Sequence, residues 1–202
     1  MRRWQRVLAV VVVATVVFVL EGWLASAQAV SPPLFKQCTY TRTGTPAAVR
    51  PPYSLTPTIG VVKVTVKTTR GPVELRLDRA NAPCAVHSLG HLALGGFYRD
   101  ASCGRLTPVL LECGPAEAGF RFRAELSGRE KYPRGTVAMV PAAGQNAARF
   151  FVVYRDAALP PQYTVIGRVV AGLGVVDKVA AGGTGDGGTP RTPVTITGVQ
   201  VG

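Results

Sequence analysis

The sequence predicts a mainly β domain, a closed or nearly closed antiparallel β-barrel with two short helices. Three observations carry that expectation. Apolar and polar residues alternate at period two in several short runs, Gly-, Pro- and Ala-rich loops separate those runs, and only two segments have helical spacing. The chain has 202 residues, 47% of them hydrophobic, which suits one globular domain with extensions.

The elements follow in order. Residues 1–29 carry a basic start, MRRWQR, an apolar run of 14 residues, VLAVVVVATVVFVL, and a small-x-small ending at Ala27-Gln28-Ala29. This is the pattern of a signal peptide, with a mature N-terminus near Val30. An N-terminal anchor is the alternative, but Glu21 interrupts the run and a span needs about 20 apolar residues. Residues 30–58 hold Pro32, Pro33, Pro46, Pro51, Pro52 and Pro57 among Ser and Thr, which reads as a Pro-rich spacer; because it carries Cys38, part of it can be tied down. The domain is placed at 59–202. VVKVTVKTT, the turn Arg70-Gly71 and PVELRLD form a hairpin pattern. In APCAVHSLGHLALGG, Val86, Leu89, Leu92 and Ala93 share one helical stripe, with Pro83 in the first turn and Gly95-Gly96 as the stop. Strands are expected within 103–113, at 135–140, 150–154 and 163–170. A second helix fits 173–180, and TPVTITGVQV ends the chain as a strand.

Lys and Arg number 23 against 11 Asp and Glu, a formal net charge of +12. Cleavage after Ala29 removes Arg2, Arg3, Arg6 and Glu21, leaving 20 basic and 10 acidic residues and a net charge of +10. In an exported protein the nearest anionic partners are membrane surfaces and acidic wall polymers. The basic residues are scattered rather than clustered, which argues against nucleic acid. Cys38, Cys84, Cys103 and Cys113 are an even set, suited to two disulfides in an oxidising compartment, and spacing leaves all three connectivities open.

The order of elements and several local words resemble the cyclophilin-type peptidyl-prolyl isomerases. APCAVHSL is similar to that family's first-helix start, YPRGTVAM to its central strand, and RFFVVY to its motif strand. LPPQYTVIGRVVAGLGVVDKVA is similar to its penultimate strand and second helix, and TPVTI to its last strand. The resemblance covers about residues 60–202 and is nearest to exported or membrane-anchored actinobacterial members. It implies a cyclophilin-like barrel, proline-containing peptides or unfolded proteins as partners, and no cofactor or metal. In this fold the helix start and the following strand lie close, so the first expectation for the disulfides is Cys84 with Cys103, leaving Cys38 with Cys113.

The resemblance also gives roles to the two charges inside the apolar run SCGRLTPVLLECG, residues 102–114, where a charge needs a partner or a task. Arg105 falls on the family's catalytic arginine and Phe151 on its pocket aromatic. Val109 and Leu110 stand where an aromatic and a methionine are usual, Tyr163 where histidine is frequent, and Leu159 at the pocket edge. Glu112 replaces the glutamine that orients the arginine, Arg149 a second glutamine, Pro141 an asparagine that binds substrate backbone, and Gly104 a histidine. Ala158 stands where many members place tryptophan, which argues against cyclosporin-type binding. A carboxylate at 112 can take guanidinium donors that a glutamine leaves free. The expectation is therefore an exported prolyl isomerase for envelope or secreted proteins with weakened catalysis, or a binding module that keeps the Pro-peptide groove.

The remaining chemistry-like features read as structure. His87 and His91, at i and i+4, lack the glutamate of a metalloprotease helix, and GGTGDGG at 182–188 is not followed by a helix carrying lysine. Asp78 and Asp100 show no acid/base pairing pattern. For Arg105 the plain alternative is an ion pair with Glu112 in a barrel wall.

Overall fold

The structure, a computed structural model, describes residues 33–44, 49–156 and 158–202. The expected signal or anchor, with Val30, lies outside the described residues. Among the described residues no helix is long and apolar enough to cross a membrane.

The alternating hairpin forms β4 (Val61–Thr68) and β5 (Gly71–Asp78), paired from Val61↔Asp78 to Thr68↔Gly71, so the loop is Thr69-Arg70. Val62, Val64 and Val66 face in with Val73, Leu75 and Leu77, as period two requires. Helix α1 (Pro83–Leu94) has Pro in its first turn and stops at Gly95. The helix has no side-chain cap of its own at Ala82. Glu125 supplies one from a distant loop, its carboxylate accepting from the N–H groups of Cys84 and Ala85 at 3.2 and 2.9 Å.

The hairpin β6 (Arg105–Leu106) and β7 (Leu110–Cys113) follows, then β8 (Phe120–Arg123), β9 (Thr136–Ala142), β10 (Gln145–Val153), β11 (Val165–Ala171), helix α2 (Leu173–Ala181) and β12 (Ile196–Val201). The main sheet runs β12-β4-β5-β11-β9-β10-β7-β6, with β8 beside β10. All these pairings are antiparallel. Its two ends meet. Ser102 bridges Thr195, Cys103 donates its N–H to Val194 O at 2.9 Å, and Asp100 donates to Ile196 O at 2.8 Å. The sheet is therefore a nearly closed barrel. Its inside is filled by one cluster that includes Leu75, Leu77, Leu111, Met139, Phe150 and Ile166 from the sheet, Leu89 and Leu92 from α1, and Val176 and Val179 from α2.

Two features depart from expectation. Residues 33–58, read as part of a spacer, contribute β1 (Phe35–Gln37), β2 (Tyr40–Arg42) and β3 (Leu55–Pro57); β1 pairs with β3, and β2 joins the sheet through β8. Each is three residues long, too short for alternation to show, and their partners are non-local. The disulfides are Cys38–Cys84 and Cys103–Cys113, with Cα separations of 5.6 and 3.8 Å, in place of Cys84–Cys103 and Cys38–Cys113. Pairing of β2 with β8 lays the Cys38 segment against the start of α1. The β6–β7 hairpin sets Cys103 beside Cys113. The expected number of bridges, two, holds, with no cysteine free. Two such bonds suit an oxidising compartment outside the cytoplasm.

Candidate active site

Period-two alternation along β6, β7, β10, β9 and β11 sorts residues onto two faces. Leu106, Leu111, Phe150, Val152, Val137, Met139 and Ile166 point into the barrel. Arg105, Leu110, Glu112, Arg149, Phe151, Val153, Ala138 and Val165 share the opposite, outer face, because Arg105 pairs with Glu112, Glu112 with Phe151, Phe151 with Ala138 and Ala138 with Val165. The two charges in the apolar run are thus outside the barrel, beside a second apolar cluster.

That cluster consists of Leu110, Tyr132, Ala138, Phe151 and Val153, with Val109, Val140, Leu159, Tyr163 and Val165 packed on it. All five apolar or aromatic residues assigned to the pocket from sequence, Val109, Leu110, Phe151, Leu159 and Tyr163, meet here. Phe151 forms the fully buried floor, and Tyr163 meets it edge to face at 5.1 Å between ring centroids. Tyr132 was not expected in the site. Its hydroxyl donates to Tyr163 O at 3.1 Å and accepts from Tyr163 N–H at 3.0 Å, which fixes the segment leading into β11 over the cluster. Burial holds its phenol above the usual range. Ala138, Val140 and Val165 also belong to the cluster, and alternation from Phe151 across the neighbouring strands is the signal that locates them.

The polar half adjoins it. Arg105 donates through Nη1 to Glu112 Oε1, and Arg149 Nη1 lies 3.9 Å from Glu112 Oε2. The Glu112 side chain is 8% exposed, against 57% for Arg105 and 37% for Arg149. Two guanidinium groups face this buried carboxylate, which gives a charge at such a position the partners it needs. Arg105 keeps part of its donor fork toward solvent, next to the apolar cluster. The arrangement therefore presents an oriented cation beside an apolar cluster whose partly exposed members are Val109, Val140, Leu159, Tyr163 and Val165.

Pro141 sits in the β9–β10 hairpin opposite Asn146, whose turn residues Ala143 and Gly144 have φ of 50° and 75°, so the segment at 141–148 is a tight hairpin. The two histidines are elsewhere. His91 Nε2 is 2.7 Å from Arg50 O, and His87 packs its ring edge-on to Tyr40.

The sequence profile of the cyclophilin type peptidyl-prolyl cis-trans isomerase/CLD family matches residues 61–201. The chain belongs to the cyclophilin family. Among curated cyclophilins it is 40% identical over 165 residues to a probable peptidyl-prolyl cis-trans isomerase B of Mycobacterium tuberculosis, covering 68% of this chain and 54% of the relative. It is 36% identical over 167 residues to the protein of the same description in Mycobacterium leprae, covering 69% and 57%. The chain thus spans about half the length of these curated relatives. In fold it is similar to a Cryptosporidium parvum cyclophilin crystal structure, with a TM-score of 0.65 and 18% identity over 71% of this chain and 98% of the other. A second crystal structure of that cyclophilin, determined in the presence of the dipeptide Ala-Pro, gives 0.64 at 19% identity, covering 69% of this chain and 98% of that one.

Proposed function

We propose that this protein is an exported peptidyl-prolyl cis-trans isomerase that assists folding of envelope or secreted proteins, with catalysis damped by the Arg105–Glu112 pair. The observation that carries the reading is the placement of Arg105, half exposed, on the same outer face as the apolar cluster built on Phe151, Leu110 and Tyr163. A prolyl ring packed on the partly exposed members of that cluster would have an apolar recess to occupy, and the Ala-Pro dipeptide used with the Cryptosporidium cyclophilin supports proline-containing peptides as the ligand class.

Isomerisation needs no nucleophile and no redox step. The barrier to rotation, ~18–20 kcal/mol, comes from amide resonance. Arg105 donates toward the prolyl nitrogen as its lone pair localises and the C–N bond loses double-bond character, while the apolar recess holds the ring still as the preceding carbonyl turns. In this reading Glu112 competes for the same guanidinium hydrogens and lowers the rate.

The ion pair also favours a second reading, a non-catalytic Pro-peptide-binding module on the cyclophilin fold. An isomerisation assay on X-Pro peptides, protease-coupled or by NMR exchange, separates the two: turnover abolished by Arg105→Ala supports the enzyme, whereas binding that depends on Phe151 and Arg105 without turnover supports the module. Export is supported by the N-terminal pattern and the two disulfides. Sequencing the mature protein tests it, with Val30 expected near the N-terminus and a membrane-bound form retaining Met1 indicating an anchor. The net charge of +10 left after cleavage at Ala29 supports contact with membrane surfaces or acidic wall polymers.

A further inference from the structure

Next to the apolar recess, on the side away from Val153, lies a polar pocket of about 180 Å³ lined by Ser102, Gly104, Arg105, Glu112, Gly114 and Arg149. Two of its six lining residues are glycines. Its charges do not balance. Glu112 gives Oε1 to Arg105, and its Oε2 is 3.9 Å from Arg149, beyond hydrogen-bond reach. Among the described residues Glu112 is the one carboxylate within 4.0 Å of Arg149. Two guanidinium groups against one carboxylate leave one positive charge, and the carboxylate is the most buried of the three. What the pocket presents to an incoming group is therefore the donor fork of Arg149, which among the described residues has no hydrogen-bonded carboxylate, together with the donors Arg105 keeps free of Glu112.

Arg149 and Phe151 are two residues apart on β10, hence about 6.6–6.8 Å along the strand. Consecutive Cα atoms of a bound peptide are 3.8 Å apart. A client whose proline packs on the apolar cluster around Phe151 thus brings the side chain one or two residues away over this pocket. We propose that the pocket between Arg105 and Arg149 is a subsite for a carboxylate side chain of the client, so that the domain selects Pro segments with Asp or Glu one or two residues from the proline. The proposal rests on the Pro-peptide reading above and names its substrate class. A carboxylate matches the guanidinium fork in a bidentate pair, whereas an ammonium meets two cations and a neutral amide gains one uncharged hydrogen bond.

The test uses the full chain in mild detergent and matched sets of four Pro peptides, carrying Glu, Gln, Lys or Ala, one set for each of the two positions before and the two positions after the proline. The expected result at low salt is a kcat/KM for the better Glu peptide roughly three- to tenfold above its Gln counterpart, with Lys below both. That ratio shrinks as salt is raised, falls to about one in Arg149→Gln and returns in Arg149→Lys. Equal rates for Glu, Gln and Lys in the parent chain overturn the proposal, as does a preference for Lys or an acidic preference that survives Arg149→Gln. If the Ala peptide is turned over but the others do not differ, the isomerase reading stands and the subsite fails. If no peptide is turned over, the same ratios read as Kd by NMR titration decide: an acidic preference that depends on Arg149 upholds the subsite on a binding module, and its absence rejects it.

Discussion

At position 112 a carboxylate is buried to 8% exposure directly across the hairpin from Arg105. Replacing Glu112 by Gln keeps the shape, removes the charge and returns guanidinium donors to the recess, so kcat/KM on X-Pro peptides is expected to rise about tenfold, equivalent to ~1.4 kcal/mol. An unchanged or lower rate in a folded Glu112→Gln domain would show that the pair does not limit catalysis. Arg105→Ala is expected to remove turnover and also to weaken the fold by about 1–3 kcal/mol, because Glu112 then keeps only the distant Arg149. Urea unfolding checks the second part: adding Glu112→Gln to Arg105→Ala should restore most of the loss, and failure to do so would mean the buried charge is not its cause. The sequence pointed to Arg105, Leu110 and Phe151 only through the family resemblance, and strand alternation is the physical reason that they share one face. Tyr132 was illegible for the opposite reason. It lies in a loop before Pro133, and its part in the site depends on Tyr163, 31 residues on, folding back to meet its hydroxyl.

Among the elements, the hairpin β4–β5 and helix α1 could be read directly, since a tight turn and a proline-to-glycine span are local signals. The N-terminal strands and the disulfide pairing could not. They depend on β2 reaching β8 and on Glu125 gathering Lys36 and the start of α1 around one carboxylate. The two bridges close sequence separations of 46 and 10 residues. Chain entropy alone gives about 4 kcal/mol for the longer loop and about 2.7 for the shorter. Cys38→Ala/Cys84→Ala is therefore expected to lower the urea midpoint more than Cys103→Ala/Cys113→Ala; the reverse order would place the stronger constraint in the β6–β7 hairpin. Gly167 is a second element-scale requirement. A Cβ there would stand 2.1 Å from the Arg76 carbonyl oxygen on β5, and only backbone can yield. Gly167→Ala should cost about 1–3 kcal/mol or more, read as a drop in Tm, and an unchanged Tm would mean that β11 and β5 separate freely.

For the whole molecule, the interior sets an upper pH limit. Tyr98, whose hydroxyl donates to Ala148 O at 2.8 Å, and Tyr40, whose hydroxyl donates to Cys84 O at 3.0 Å, are both pushed far above the ordinary phenol range, chiefly by burial. A raised folded-state pKa contributes stability that is complete below the unfolded value of ~10 and declines as pH rises from there toward the folded value. Unfolding free energy should accordingly be flat on this account up to about pH 9 and fall above ~10. The fall should be shallower in Tyr98→Phe; an identical alkaline slope in that variant would assign the loss elsewhere. The closed barrel itself was foreseeable from many short strands, whereas the seam that closes it was not, since it joins segments far apart in the chain. Ser102 meets Thr195 on that seam, and β12 is brought to it by pairing with β4, where Val64 meets Val201. The seam has a consequence in time. As the chain emerges from its N-terminus, both disulfides have their partners by Cys113, yet the edge of VVKVTV stays bare until the last seven residues arrive. During that interval the protein is itself an unfinished sheet with an open edge, where Lys63 and Lys67 stand as charged guards against pairing with a neighbouring chain.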